Sequence, residues 1–168
     1  VLSARSAFRW QDALQIGINI AQGLQHAHTM GFVHGDLKPS NIHITDEDIV
    51  KISDFGYGDF ANGLSQTEYA APELISSSTR SPQSDVYSLG VLLSHLVTGT
   101  VLAEGKDDTG THQDDHLDLM SQIPDLSEVV KKATQQDPHD RYVSAGEMVD
   151  ALKRCLPPVQ TPIWLRNL

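Results

Sequence analysis

Residues 84–98 constrain the fold more than any other stretch. Val86, Leu89, Gly90, Leu93, Leu96 and Val97 make an apolar stripe that runs nearly all round a helix. A helix with so little polar face has to be surrounded by other elements. Ser81 or Ser84 is placed to cap its start, Pro82 falls near its first turn, and Gly99 ends it. Asp85 stands at its opening, where a buried carboxylate is costly unless donors meet it. A second long helix starts at Trp10 and stops at Gly31, a residue suited to the left-handed turn after a helix. Its Ala13, Ile16, Gly17, Ile20, Ala21, Leu24 and Ala27 have the spacing of one buried face, which Leu14 and Ile18 widen. The two helices are expected to bury their apolar faces against each other. Two more are expected over 126–136 and 144–156, from Leu126, Val129, Val130 and Ala133 and from Ala145, Met148, Val149 and Leu152. Together they predict a mainly α domain over 10–156. Residues 1–9 read as a linker or the end of a preceding segment, and 157–168 as a tail or linker.

At 168 residues and 39% hydrophobic, the chain can bury one sizeable core. Its formal charge of −10 opposes a nucleic-acid footprint, which needs a basic face. The lone Cys155 allows no internal disulfide and fits a reducing, cytoplasmic setting. No apolar run is long enough to span a bilayer, which leaves open an anchor elsewhere in a longer protein. His26 and His28 are two apart on the first helix and do not face one another, so they read as structural rather than metal-binding. Residues 100–124 are acidic, with Glu104, Asp107, Asp108, Asp114, Asp115 and Asp118 around His112 and His116. They read as a solvated loop leading to a short helix over 116–122. Trp164 and Leu165 near the end are placed to dock on the domain or on a neighbour.

The chemistry gathers between the two long helices. Residues 34–41 read His-Gly-Asp-Leu-Lys-Pro-Ser-Asn. Period-2 strands are expected over 42–45 and 49–53, joined by the acidic turn Asp46-Glu47-Asp48 into a hairpin. Asp54-Phe55-Gly56 follows directly. Asp36, with Asn41 five residues on and Asp54 thirteen beyond that, makes an arrangement suited to phosphoryl transfer. One carboxylate orients an attacking hydroxyl or accepts its proton, while the amide and the second carboxylate offer the hard oxygens that Mg²⁺ prefers when it bridges phosphates. The hairpin sets Asn41 and Asp54 on neighbouring backbone.

These motifs are followed in order by Ala71-Pro72-Glu73 and Asp85-Val86-Tyr87-Ser88-Leu89-Gly90, and the chain from about residue 11 to 156 resembles a protein kinase. The resemblance implies a kinase-like C-terminal lobe, mainly α, with a small β-hairpin carrying the catalytic and Mg-binding loops. It makes Asp36 the catalytic carboxylate and sets Lys38 near the transferring phosphate of ATP. Asn41 and Asp54 become Mg²⁺ ligands, Phe55 packs into the core, and Gly56 lets the chain turn. His34 becomes a scaffold residue rather than a base, and Asp85 accepts hydrogen bonds from the loop backbone and so positions Asp36. Glu73 pairs with Arg141 as a buried ion pair. Asp-Leu-Lys-Pro is the serine/threonine form of the loop, so ATP and Mg²⁺ are the implied cofactors and a protein hydroxyl the implied acceptor.

Three departures shape the expected function. Gly35 stands where most of the family has Arg, so a phosphorylated activation segment, with Ser65, Thr67 and Tyr69 as candidate acceptors, loses its usual charge partner. Gln66 occupies the position where a Thr is usual, with Thr67 one later. The glycine-rich loop, the strand lysine and its glutamate partner have no counterpart ahead of His34, because Gly17 and Gly23 lie inside a helical pattern. The chain is therefore expected to be the large lobe without the small N-terminal lobe, inactive alone, and prone to associate with itself or another chain through the face left uncovered. Two other readings stand beside the catalytic one. A pseudokinase-like scaffolding module is favoured by Gly35, the displaced Thr67 and the missing lobe and opposed by intact Asp36, Asn41 and Asp54. A small-molecule phosphotransferase of the aminoglycoside type shares His-Gly-Asp but lacks Ala-Pro-Glu and the Asp85 helix motif.

Overall fold

The computed structural model of the chain describes residues 8–56, 68–77, 80–101 and 120–157. Helix α1 spans Trp10–Thr29 and buries Ala13, Leu14, Ile16, Gly17, Ile18, Ile20, Ala21 and Leu24, the face expected from its spacing. It closes through amides of Met30 and Phe32 on the Ala27 carbonyl, with Gly31 at φ +82°. Helix α2, Pro72–Ser77, is short. Helix α3, Pro82–Thr98, is the hub: residues 84–94, Leu96 and Val97 are all buried. Its N-terminus is a capping box in which Ser81 and Ser84 each bond the other's amide through a hydroxyl, and Gly99 ends it at φ +75°. Both serines named as possible caps are thus used.

Helix α4, Pro124–Ala133, and helix α5, Ala145–Arg154, complete the bundle. α1 packs on α3 and α5, and α4 packs on α3 and α5. Close approach rests on glycines: a Cβ on Gly17 would meet Leu93, its Cγ only 3.1 Å away, and one on Gly90 would lie 2.9 Å from the Ala133 Cβ. α4 starts two residues before the expected 126, because Pro124 is suited to a first helical position. It ends three before the expected 136, and the carbonyls of Gln135 and Gln136 just beyond it accept from Arg141. α5 is bounded by Ser144, whose hydroxyl caps it by accepting from the Glu147 amide.

Strands β1, Ile42–Ile44, and β2, Val50–Ile52, form an antiparallel pair with Ile42 opposite Ile52 and Ile44 opposite Val50. Each is shorter than expected, yet Thr45 and Ile49 still share a backbone hydrogen bond at the turn, and the Ser53 amide donates to the Asn41 carbonyl. β2 packs on α1, with Ile52 against Gly23. The helix expected over 116–122, most of the acidic loop, Ser65, Gln66, Thr67, Trp164 and Leu165 lie outside the described residues, apart from buried Met120 and the residues after it. No helix among the described residues is long and apolar enough to cross a membrane.

Candidate active site

The site is built outward from Asp85. Its carboxylate is fully buried at the first turn of α3. One oxygen, Oδ2, accepts from the His34 amide and from His28 Nε2, both at 2.8 Å, and Oδ1 accepts from the Gly35 amide at 2.8 Å. Three donors offset the desolvation of a buried charge, and two of them are the backbone of the loop itself. The hub is thereby tied to the residues just before Asp36. His28 is the partner that sequence reading missed. Its place on the last turns of α1 was plain, but nothing in the sequence shows that this turn meets a residue 57 positions away.

His34 joins the loop to the segment after β2. It is fully buried, its Nε2 donates to the Ser53 carbonyl at 3.0 Å, and its Nδ1 accepts from the Asp36 amide at 3.2 Å. A carbonyl only accepts and an amide N–H only donates, so the ring is a neutral imidazole with its proton on Nε2. Both nitrogens are occupied, which suits a scaffold and not a base. The ring also lies against Phe55, with centroids 4.8 Å apart. Leu37, 1% exposed, anchors the loop in the core.

These supports leave Asp36 in a defined state. Its Oδ2 accepts from Lys38 Nζ at 2.6 Å, and its Oδ1 is buried with no hydrogen-bond partner among the described residues. Asn41 is buried and donates through Nδ2 to the Asp36 carbonyl at 2.9 Å. Its amide oxygen accepts from the Ser40 hydroxyl only at 3.4 Å. Asp54 follows the Asn41–Ser53 backbone pair by one residue, exposed, in a left-handed conformation at φ +62° that Asp tolerates better than most side chains. Its Oδ2 accepts from the Ser53 hydroxyl at 3.1 Å, and that hydroxyl oxygen lies 3.0 Å from His43 Nε2.

The donor set can be tested against Mg²⁺. No group of three or more His, Cys, Asp and Glu gathers into a cage among the described residues. One exposed carboxylate and one amide oxygen on adjoining backbone fit an ion that is held by one or two protein oxygens together with substrate phosphates.

Farther out, Arg141 and Glu73 form the expected pair. Nη1 and Nη2 donate to Oε1 and Oε2, each at 2.7 Å, and the Arg141 side chain is fully buried. The other three N–H groups go to the carbonyls of Gln135, Gln83 and Gln136 at 2.7, 3.0 and 3.1 Å. The guanidinium lies over the Tyr87 ring, 4.8 Å from its centroid.

Tyr69, a candidate phosphate acceptor on sequence, is buried instead, and its hydroxyl shares a hydrogen bond with His95 Nδ1 at 2.5 Å. Burial, with Glu68 nearby, pushes the phenol up to about 12. Burial also holds the His95 imidazole below its ordinary 6.5, against an opposing pull from Glu68. The unfolded chain therefore takes up this proton more readily than the folded one, so stability contributed here is present above pH 6.5 and is lost as pH falls below it. His95→Asn keeps an acceptor near Nδ1 and cannot titrate. Urea midpoints measured from pH 7.5 to 5 should fall less steeply in this variant than in the native chain; parallel curves would rule the coupling out.

Comparison with known proteins follows the same lines. A protein kinase domain model matches residues 1–161. A probable serine/threonine-protein kinase of Clostridium perfringens is 30% identical over 172 residues, covering 92% of this chain and 25% of that one. PknB of Mycolicibacterium smegmatis, a serine/threonine-protein kinase, is 33% identical over 158 residues, covering 81% of this chain and 25% of its own. Among solved structures, the kinase domain of Mycobacterium tuberculosis PknI superposes with a TM-score of 0.70 at 26% identity, over 89% of this chain and 56% of that one. The chain thus spans about a quarter of the length of the two relatives, which cover 25% each.

Proposed function

The chain belongs to the protein kinase family, with serine/threonine kinases as its relatives, and we propose that it is the catalytic large lobe of an enzyme that moves the γ-phosphate of ATP to a serine or threonine hydroxyl of a protein. The observation that carries this reading is Asp36: one oxygen is held by Lys38 and the other, buried, has no hydrogen-bond partner among the described residues, on a loop fixed by Asp85, His34 and Asn41. In this reading the Asp36 carboxylate accepts the hydrogen of the incoming hydroxyl and aims its oxygen at the phosphate. Lys38 holds the carboxylate in place and sets a positive charge beside the charge that develops on the transferring group. Asn41 Oδ1 and the Asp54 carboxylate are the residues that would hold Mg²⁺ with ATP. When bound, the ion neutralises phosphate charge and aligns the γ-phosphate.

Positioning supplies most of the acceleration in such a transfer, and it requires the nucleotide to be clamped from both sides. Ahead of His34 these residues carry no glycine-rich loop and no strand lysine, so by themselves they bind ATP weakly and transfer no phosphate. A small lobe would cover about 600–1,500 Å² if its contact is that of ordinary neighbouring domains. Exposed Met30, Phe32 and Ile49, 63%, 60% and 54% accessible, sit on the turn before the loop and at the hairpin tip, where such a lobe or a second copy could rest. The test is transfer of labelled phosphate from ATP to a generic protein substrate, with and without Mg²⁺, by this chain alone and joined to a kinase small lobe. Transfer only by the joined form, and only with Mg²⁺, is expected. Transfer by the isolated chain would overturn the two-lobe requirement. Failure of a folded, ATP-binding joined form would favour the scaffolding reading.

A further inference from the structure

We propose that Arg80 is a positioning residue for the active-site loop, its side chain packing across the bare Cα of Gly35. Gly35 lies between His34 and Asp36 at φ +74°, a conformation that L side chains rarely adopt. Space is as restrictive as angle. A Cβ built on Gly35 would lie 2.6 Å from Arg80 Nε and 3.3 Å from its Cγ, with Cδ nearer still. The volume a side chain on residue 35 would take is therefore filled from residue 80.

The supply line is short and rigid. Arg80 precedes Ser81, whose capping box with Ser84 fixes the backbone at the start of α3. Asp85 is five residues on and takes the Gly35 amide at 2.8 Å. One stretch of chain thus reaches Gly35 twice, with a carboxylate on its N–H and a half-buried arginine stem over its Cα. Arginine is suited to this, because its side chain is long enough to lay its end methylene and Nε across the Gly35 Cα. Asp36 is the next residue, so a loop that lifts at Gly35 carries Asp36 with it. The loop's departure at residue 35 from the usual arginine acquires a physical reason: the left-handed bend and the Arg80 stem leave no room for a side chain there.

The effect on phosphate transfer rests on the kinase reading, but the packing is testable without it. In the 168-residue chain, hydrogen exchange and NMR shifts of the Gly35 and Asp36 amides report the loop, and amides of the α3 hub report global opening. Arg80→Ala is expected to speed exchange at Gly35 by about tenfold while the hub amides hold. Arg80→Met keeps the stem and should leave the Gly35 signal near its native place. Gly35→Ala should lower the unfolding midpoint more in the native chain than in the Arg80→Ala background, where only the backbone strain remains. In a form joined to a small lobe, Arg80→Ala should lower kcat with the KM for ATP unchanged, and Arg80→Met should restore it. The proposal is overturned by a Gly35 amide unmoved in Arg80→Ala, by Met acting like Ala, or by an equal loss for Gly35→Ala in both backgrounds. If Arg80→Ala does not fold, the Arg80→Met signal still decides. Packing results as expected, with no transfer by any joined form, would fell the kinase reading and leave the packing intact.

Discussion

Asp36→Asn in a form carrying the small lobe is expected to cut turnover by about 10²–10⁴-fold, the range lost with a positioned acid–base group, while ATP binding stays near native. Asparagine has almost the same shape, and its oxygen can still accept from Lys38, which lies 2.6 Å from Asp36 in the native chain. The Asn41 amide still reaches the backbone carbonyl of residue 36, because that bond does not involve the side chain. What is lost is the charge and the second carboxylate oxygen, which is buried and meets no partner among the described residues. The loss should appear in kcat with little change in the KM for ATP. Asp54→Asn should divide differently. Asp54 is exposed and, among the described residues, bonded only locally, to Ser53, so its replacement should leave the loop standing and weaken Mg²⁺-dependent nucleotide binding. Titrating ATP at several Mg²⁺ concentrations separates the two, and an Asp36 variant with native turnover would sink the assignment.

Local signals carried the fold a long way. The helical spacing of α1 and the all-round apolarity of α3 depend on residues within a few turns, and the structure has both helices where the sequence put them. Helix ends were less readable where a distant group decides them. α4 stops at Ala133, and the carbonyls of Gln135 and Gln136 beyond it accept from Arg141, a contact that no pattern in residues 124–136 contains. The site divides in the same way. Asp85 binding the loop backbone and Glu73 binding Arg141 were expected from resemblance, and the structure contains both contacts. His28 on Asp85, His95 on Tyr69 and Arg80 over Gly35 were not, because each joins side chains across helices whose relative rotation emerges only from packing. Tyr69 shows the cost of reading hydroxyls by sequence alone: it lies in a segment rich in possible acceptors, yet its own hydroxyl is buried and engaged.

Arg141→Met should give the largest stability loss of any single change away from the loop, about 3–5 kcal/mol. For a domain of this size that corresponds to roughly 6–20 °C in midpoint. Methionine matches the stem and the apolar contact with Tyr87 but offers none of the five N–H groups. Glu73 would then keep a charge in a site where its side chain is only 18% exposed, and three carbonyls would lose their donor. Surface ion pairs contribute about 1 kcal/mol or less, so a small loss would mean that water replaces the arginine easily. Arg141→Lys separates charge from geometry: an ammonium keeps the charge but cannot span both Glu73 oxygens and the carbonyls of Gln83, Gln135 and Gln136. It should fall between native and Met. Glu73→Gln should also be costly, because it leaves the buried guanidinium without a countercharge. In a double-mutant cycle, Glu73→Gln with Arg141→Met should lose less than the sum of the two. Thermal unfolding of the four chains decides the point. Additive losses would show that the pair does not act as a unit, and with that the idea that it clamps α2 to the rest of the lobe would fall.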